Sequence, residues 1–233
     1  MSTIQEIICP PKCFICEKVL FIGEAVCSEC AKKLPYISDL CCMKCGKPIE
    51  DETKEYCADC IRKKHYFERN IALFSYSSNL KKAVYKFKYS NKRYYGRYFA
   101  KEMTDRYFDV LKSFELDAII PVPLYRGKLR QRGYNQAELL ANEIGRSIGV
   151  KVLSDCVVRI VNTIPMKQLN DKERQKNIKG SFKVVKNVVK LKKILLVDDI
   201  FTTGSTVDEI SRVLTAAGVE YIYVITLCVG RGY

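Results

Sequence analysis

From residue 79 onward the apolar positions change period repeatedly, and the alternation predicts a layered fold. Leu80, Ala83, Val84 and Phe87 recur at helical spacing, as do Tyr95, Phe99, Met103, Tyr107 and Leu111. They predict helices over about 79–88 and 92–111, split by Ser90-Asn91. The run from Asp117 to Val122 reads as a strand, and Ala137, Leu140, Ala141 and Ile144 predict a helix from Asn135 to Ile148, stopped by Gly149. A β-rich piece lies near 152–161, and strands are expected near 182–185, 193–197 and 221–228. Val207, Ile210, Val213, Leu214 and Ala217 mark a helix over 206–217, whereas 162–180 is polar and lacks core periodicity. Strands alternating with helices predict an α/β fold with a mostly parallel sheet, whose ligands sit at the carboxyl ends of the strands.

One such end carries chemistry. The strand Ile194–Val197 finishes in Asp198 and Asp199, followed by a turn containing Thr202, Thr203, Gly204, Ser205 and Thr206 and then the helix. Backbone N–H groups at a loop and helix start attract an anion, and hydroxyls add donors. Paired carboxylates accept from vicinal ribose hydroxyls and help hold Mg²⁺. A strand–turn–helix with Asp as a cap gives the same outline. The order and spacing nevertheless match the phosphoribosyl pyrophosphate (PRPP) motif of type I phosphoribosyltransferases. In such a sheet the stretch Pro123–Arg132 is a loop after a strand, offering Arg126, Lys128, Arg130 and Arg132 to pyrophosphate, and 162–180 reads as a mobile lid.

Of twelve cysteines, ten fall in the first 60 residues. Eight form Cys-x-x-Cys knuckles: Cys13/Cys16, Cys27/Cys30, Cys42/Cys45 and Cys57/Cys60. The halves 13–30 and 42–60 read as an internal duplication, and two knuckles complete a tetrahedral zinc site. A segment this poor in large apolar residues needs metal staples, so two structural zincs are expected. The pairing of knuckles is open at this point, and Cys41 competes with Cys42 for a ligand position. Gly46 suits the left-handed residue a knuckle needs. The single histidine, His65, offers no basis for histidine catalysis.

Residues 1–65 carry ten Lys/Arg and ten Asp/Glu, so the whole net charge of +14 resides in 66–233. The same boundary divides the chain into a cysteine-rich domain, 1–65, and an α/β domain, 66–233. Residues 80–101 hold eight basic residues and no acidic one, interleaved with Tyr85, Phe87, Tyr89, Tyr94, Tyr95, Tyr98 and Phe99. Such a belt suits a polyanion, single strands ahead of duplex, with Lys86, Lys88, Arg93 and Arg97 as candidate contacts. Several of these aromatics also fit a helix core. No apolar run approaches the ~20 residues needed to cross a membrane. The start, Met1-Ser2-Thr3-Ile4-Gln5-Glu6, lacks a basic segment followed by an apolar core, so secretion is not expected.

The knuckles, Pro121-Val122-Pro123-Leu124, Arg132-Gly133-Tyr134-Asn135-Gln136, Gln168-Leu169 with Arg174 and Asn177, and Ile194–Thr206 together resemble the ComF family of competence proteins, across essentially the whole chain. The resemblance implies a double zinc ribbon joined to a type I phosphoribosyltransferase domain. It also implies a cytoplasmic role in natural transformation, handling single-stranded DNA beside a helicase-like partner. Carried onto this sequence, it assigns Asp198 and Asp199 to ribose and Mg²⁺, Thr202–Thr206 to the 5′-phosphate, and Arg126, Arg130 and Arg132 to pyrophosphate. Asn135 and Gln136 are signature residues without an assigned role, and Thr163-Ile164-Pro165-Met166 departs from the family's Thr-Pro-Pro-Gln-like run. Three functions then compete. The first is a PRPP-binding, DNA-handling protein. The second is a transferase moving the 5-phosphoribosyl group to an unidentified acceptor, with Lys172, Arg174 or Lys176 stabilising the departing pyrophosphate. The third is a PRPP-responsive regulator of duplex DNA.

Overall fold

The computed structural model describes residues 10–21, 23–163 and 171–230. Two short helices, α1 (Ser28–Ala31) and α2 (Ala58–Arg62), belong to the cysteine-rich segment. Then follow β1 (Arg69–Ser75), α3 (Ser78–Tyr89), α4 (Tyr94–Ser113), β2 (Ala118–Pro121), α5 (Arg126–Arg132), α6 (Gln136–Ile148) and β3 (Val157–Arg159). The chain continues through α7 (Asp171–Ile178), β4 (Phe182–Val184), β5 (Lys193–Phe201), α8 (Ser205–Ala216) and β6 (Tyr221–Val229).

Four strands form one sheet in the order β1-β6-β5-β2, all parallel, with Ala72 beside Thr226, Leu195 beside Tyr223 and Ile119 beside Leu195. A separate antiparallel pair joins β3 to β4. Alternate residues of the central strands face opposite layers, as the pleat requires. Leu195, Val197, Ile225 and Leu227 pack with Phe87, Phe99, Met103, Leu140 and Ile144 from α3, α4 and α6. Ile194, Leu196, Ile222 and Val224 pack with Val207, Ile210 and Leu214 from α8 and with the β3–β4 pair. The expected parallel α/β sheet is therefore present.

Three local expectations change. Strand β1 was not among the expected strands, although Ile71–Phe74 is a short, fully buried apolar run. Residues 126–132 are a short helix instead of a loop, closed by Gly133 at φ +75°. Within 162–180, residues 171–178 are helical and pack against α8, burying Arg174 and Ile178; residues 164–170 of the expected lid lie outside the described residues.

The cysteine-rich segment straddles the open edge of β1. Its middle, residues 35–37, runs antiparallel to that strand: the Ile37 N–H donates to the Leu73 carbonyl (3.0 Å) and the Ser75 N–H to the Pro35 carbonyl (2.8 Å). From there the first half reaches one layer, where Phe14 packs within 5.1–6.1 Å of Tyr95, Tyr98 and Phe99. The second half reaches the other, where Cys42, Cys45 and Phe67 join the core beneath α8.

Helix α6 contacts both β2 and β5, and Gly145 is where it meets the segment beside β2. A Cβ at Gly145 would lie 2.7 Å from the Val150 carbonyl oxygen and 2.7 Å from Val152 Cγ2. Ala replacing Gly in an open helix interior stabilises by up to ~1 kcal/mol. Here overpacking reverses the sign, and Gly145→Ala is expected to cost ~1–3 kcal/mol in urea unfolding.

Candidate functional site

The four knuckles gather into two clusters. The sulfurs of Cys13, Cys16, Cys27 and Cys30 all lie within 4.8 Å of one another, and so do those of Cys42, Cys45, Cys57 and Cys60. Neighbouring knuckles pair, which excludes the crossed arrangement. The two halves repeat in detail. Glu17 (φ 64°) and Gly46 (φ 72°) take the left-handed turn and donate N–H to the Cys13 and Cys42 carbonyls at 2.9 and 2.8 Å. Bridges Lys12–Val19 and Cys41–Pro48 close the two turns. Cys41 is thus the counterpart of Lys12 and stands outside the metal cluster. Hydrogen bonds with Cys45 and Cys60 hold the Cys42 thiol well below the usual range, and those with Cys42 and Cys60, then burial, push Cys45 well above it. Sulfurs this close share protons until a divalent cation replaces them, and a Cys₄ set selects zinc. The residues fit two structural zinc sites.

The second candidate site lies at the carboxyl end of β5. The strand continues through both carboxylates to Phe201, further than the expected 193–197, and the loop turns at Gly204 (φ 75°) into α8. Asp198 and residues 200–207 line a small open pocket. Thr203 Oγ1 lies 2.8 Å from Ser205 Oγ, and a Cβ at Gly204 would fall 2.7 Å from the Phe201 ring. Asp198 Oδ1 accepts from the Asp199 N–H at 2.8 Å. Burial, then the charge of Asp199, pushes the Asp198 carboxyl up to about 7, against the pull of Lys88 and Arg159.

Cations surround the pair. The Lys88 ammonium sits 2.9 Å from both Asp199 oxygens, with the two side chains 18% and 14% exposed. The candidate DNA contact Lys88 therefore turns inward, away from the belt. Lys128 lies below its ordinary range, through burial first and then the charges of Arg159, Arg132 and Lys88. Arg159 reaches in from β3, stacks on Phe182 at 5.4 Å, and has a buried Nε with no partner among the described residues. Arg126 and Arg130 are exposed on α5, whereas Arg132 is half-buried.

The signature Arg132–Gln136 builds this arrangement. Asn135 caps α6, accepting from the Ala137 N–H (3.1 Å) and donating to the Val122 carbonyl (3.0 Å). Gln136 donates to the Phe87 and Lys88 carbonyls (3.5 and 3.4 Å), and the Tyr134 hydroxyl also donates to Phe87. Arg132 donates to Gln136 Oε1 and the Tyr89 hydroxyl, both at 2.9 Å. The motif staples the end of α3, and with it Lys88, over Asp199.

The belt divides into two populations. Phe87, Tyr95 and Phe99 are core, as helix spacing allows. Tyr85 and Tyr89 are 57% and 51% exposed, their rings 4.9 Å apart, with Arg132 over Tyr89 at 4.7 Å. Lys86 pairs with Glu17, Arg93 lies over Tyr134 and donates to the Gly133 carbonyl (3.1 Å), and Arg97 projects into solvent 3.9 Å from Glu143. On α7, Lys176 is exposed, Arg174 is buried, and the Lys172 side chain lies outside the described residues. Sequence reasoning missed Arg159, which lies in the β-rich piece and carries no motif. It also set His65 aside, yet that ring is wedged between Cys60 and Asp208.

Two family models match the chain. The double zinc ribbon domain matches residues 4–61, and the phosphoribosyl transferase domain matches 131–232. Competence protein F of Haemophilus influenzae is 32% identical, over 91% of this chain and 94% of its own. DNA utilization protein YhgH of Escherichia coli K12 is 27% identical over 94% and 97%, and competence protein ComFC of Bacillus subtilis 26% over 84% and 80%. The fold and the two sites define a type I phosphoribosyltransferase-fold protein with a double zinc ribbon at its head. The extent of the first match assigns it further: the chain belongs to the competence protein F (ComF) family. Among the described residues no helix is long and apolar enough to cross a membrane.

Metal analysis of purified protein is expected to find two zincs per chain. Cys41→Ser should retain both, and Cys42→Ser should retain one; a loss in Cys41→Ser would place that sulfur in the cluster after all.

Proposed function

We propose that this chain binds Mg²⁺-PRPP at the end of β5 and handles single-stranded DNA in the uptake system of natural competence. The observation carrying the first part is a pair of carboxylates met by Lys88 and Arg159, with Lys128 and Arg132 close to those cations, beside a hydroxyl-rich loop at a helix start. Positive charge exceeds negative there, so the missing complement is an anion. Asp198 and Asp199 would meet the ribose hydroxyls and Mg²⁺, Thr202, Thr203, Gly204, Ser205 and Thr206 the 5′-phosphate, and these cations the pyrophosphate. In this reading 1–65 is the metal domain and 66–233 the nucleotide domain, working in the cytoplasm beside a helicase-like partner.

The relatives' names, competence protein and DNA utilization protein, support the second part. So does the exposed ladder of Tyr85 and Tyr89, with Lys81 and Lys82 one turn earlier on the same helix. Aromatic faces stack on any base, and basic groups follow the backbone. The stacking of Arg132 on Tyr89 brings this ladder to the mouth of the carboxylate site.

A second reading, transfer of the 5-phosphoribosyl group with release of pyrophosphate, is favoured by the same group of cations, which suits a leaving group that gains charge. Lys172, Arg174 and Lys176 on α7 are candidates for the same task. Pyrophosphate release across a panel of bases, ammonia and nucleic acids decides between binding and turnover.

Calorimetric titration with Mg²⁺-PRPP should give saturable binding that disappears in the Asp198→Asn, Asp199→Asn double variant. If wild type takes up nothing, the sugar-phosphate reading is wrong. Separately, Tyr85→Ala and Tyr89→Ala should each weaken oligothymidine binding about fivefold or more in fluorescence anisotropy, the equivalent of ~1 kcal/mol per stacked base. Unchanged affinity in both variants would remove the ladder from the DNA path.

A further inference from the structure

The seven residues that follow the second cysteine cluster, 61–67, run straight onto the loop after β5. Lys63 stands three positions beyond Cys60. Its ammonium donates to the Thr203 carbonyl (3.2 Å) and pairs with Asp208 (2.7 Å), in the first turn of α8. The His65 ring, 3% exposed, places Nδ1 2.8 Å from Asp208 Oδ2 and Nε2 3.6 Å from the Cys60 sulfur. The Tyr66 N–H donates to Asp208 Oδ1 at 3.2 Å. Phe67 is buried and meets Phe201 edge-on at 5.9 Å, and the Phe201 ring in turn underlies Gly204.

The segment thus grips the loop at three points: the Thr203 carbonyl, the Asp208 carboxylate and the ring beneath Gly204. Both Asp208 oxygens are taken up by the strap, so this carboxylate serves position, not ligand. A loop that binds through its own N–H groups and hydroxyls works only if those groups are already aimed, and aiming is the task of the shell behind it. The first cysteine cluster is anchored elsewhere, by Phe14 against α4 and by Glu17 against Lys86 on α3.

We infer that Lys63 and His65 are positioning residues for the β5–α8 loop, and that the loop's geometry depends through them on the second Cys₄ site and not on the first. The inference rests on reading that loop as the sugar-phosphate cradle. It deepens that reading by making the metal ribbon part of the cradle's support.

The test compares full-length wild type with Lys63→Met, Lys63→Arg, Cys60→Ser and Cys30→Ser. Three quantities are read: zinc content, amide hydrogen exchange in peptides covering 200–209, and Mg²⁺-PRPP affinity by calorimetry. Lys63→Met should keep both zincs, speed exchange over 200–209 and weaken Mg²⁺-PRPP about tenfold, or ~1.4 kcal/mol. Lys63→Arg should restore both readings towards wild type. Cys60→Ser should reproduce the faster exchange with one zinc, and Cys30→Ser should lose a zinc without changing exchange over 200–209. Wild-type exchange over 200–209 in either Lys63→Met or Cys60→Ser would overturn the inference, as would equal effects of Cys30→Ser and Cys60→Ser. Should Cys60→Ser fail to fold, the two Lys63 variants decide alone. Because exchange is read without ligand, a wild type that ignores PRPP but shows the expected exchange pattern sinks the cradle reading and leaves the strap standing. Normal PRPP binding with unchanged exchange in Lys63→Met does the reverse.

Discussion

Two carboxylates at the end of one buried strand impose a demand that much of the chain is arranged to meet. Uncompensated charge in such a place costs several kcal/mol per ion, so Asp198 and Asp199 require cations brought from elsewhere. Lys88 arrives from the last turn of α3 and Arg159 from the β3–β4 pair, and Lys128 and Arg132 of α5 stand close to those two cations. Bringing Lys88 in means fixing the end of α3, and the Arg132–Gln136 signature does this with side-chain donors to Phe87, Lys88 and Tyr89. The signature acts on the site through Lys88. The supply also overshoots: Lys128 is depressed by burial and then by its cationic neighbours, and Arg159 Nε is left unpartnered among the described residues. That imbalance is what an anionic ligand would resolve.

The cysteine-rich segment solves a different problem. A four-stranded sheet has two edges, and an uncovered edge invites pairing with another chain. Residues 35–37 cover β1, while the 151–153 segment bonds to Ile119 on β2, at the opposite edge. Covering β1 from the middle of the segment leaves one ribbon for each layer. The buried Asn70 side chain, donating to the Cys45 carbonyl (2.8 Å) and accepting from Thr226 Oγ1 (3.2 Å), joins the second knuckle to the sheet's interior.

Much of this was legible in the sequence because its causes are local. Cysteine spacing fixes which sulfurs can share a turn, and the periods of α3, α4, α6 and α8 fix their buried faces. The run Asp198–Thr206 carries its own chemistry. What escaped depends on long-range pairing. Within the belt Lys88 looks like any other lysine, and only its approach to Asp199, far along the chain, marks it out. Arg159 has no motif because its partners come from other elements. His65 looked idle as a lone histidine, yet the ribbon folds it against α8. The ambiguity over Cys41 dissolves once the two knuckles superpose and Cys41 falls on Lys12. Residues 126–132 hold Leu129 as their one large apolar residue, so no apolar period marks the helix there.

The order β1-β6-β5-β2 has a consequence for the growing chain on the ribosome. The outer flank of β1 is covered by residues 35–37, made before it, so that protection exists as soon as the strand emerges. Its inner flank waits for β6, and the pairing of Ala72 with Thr226 spans most of the polypeptide. Throughout that interval β1 is half-guarded, and the guard lies between two cysteine clusters that fit zinc sites. A cell short of zinc during translation would therefore meet this protein first as a nascent chain with a bare strand.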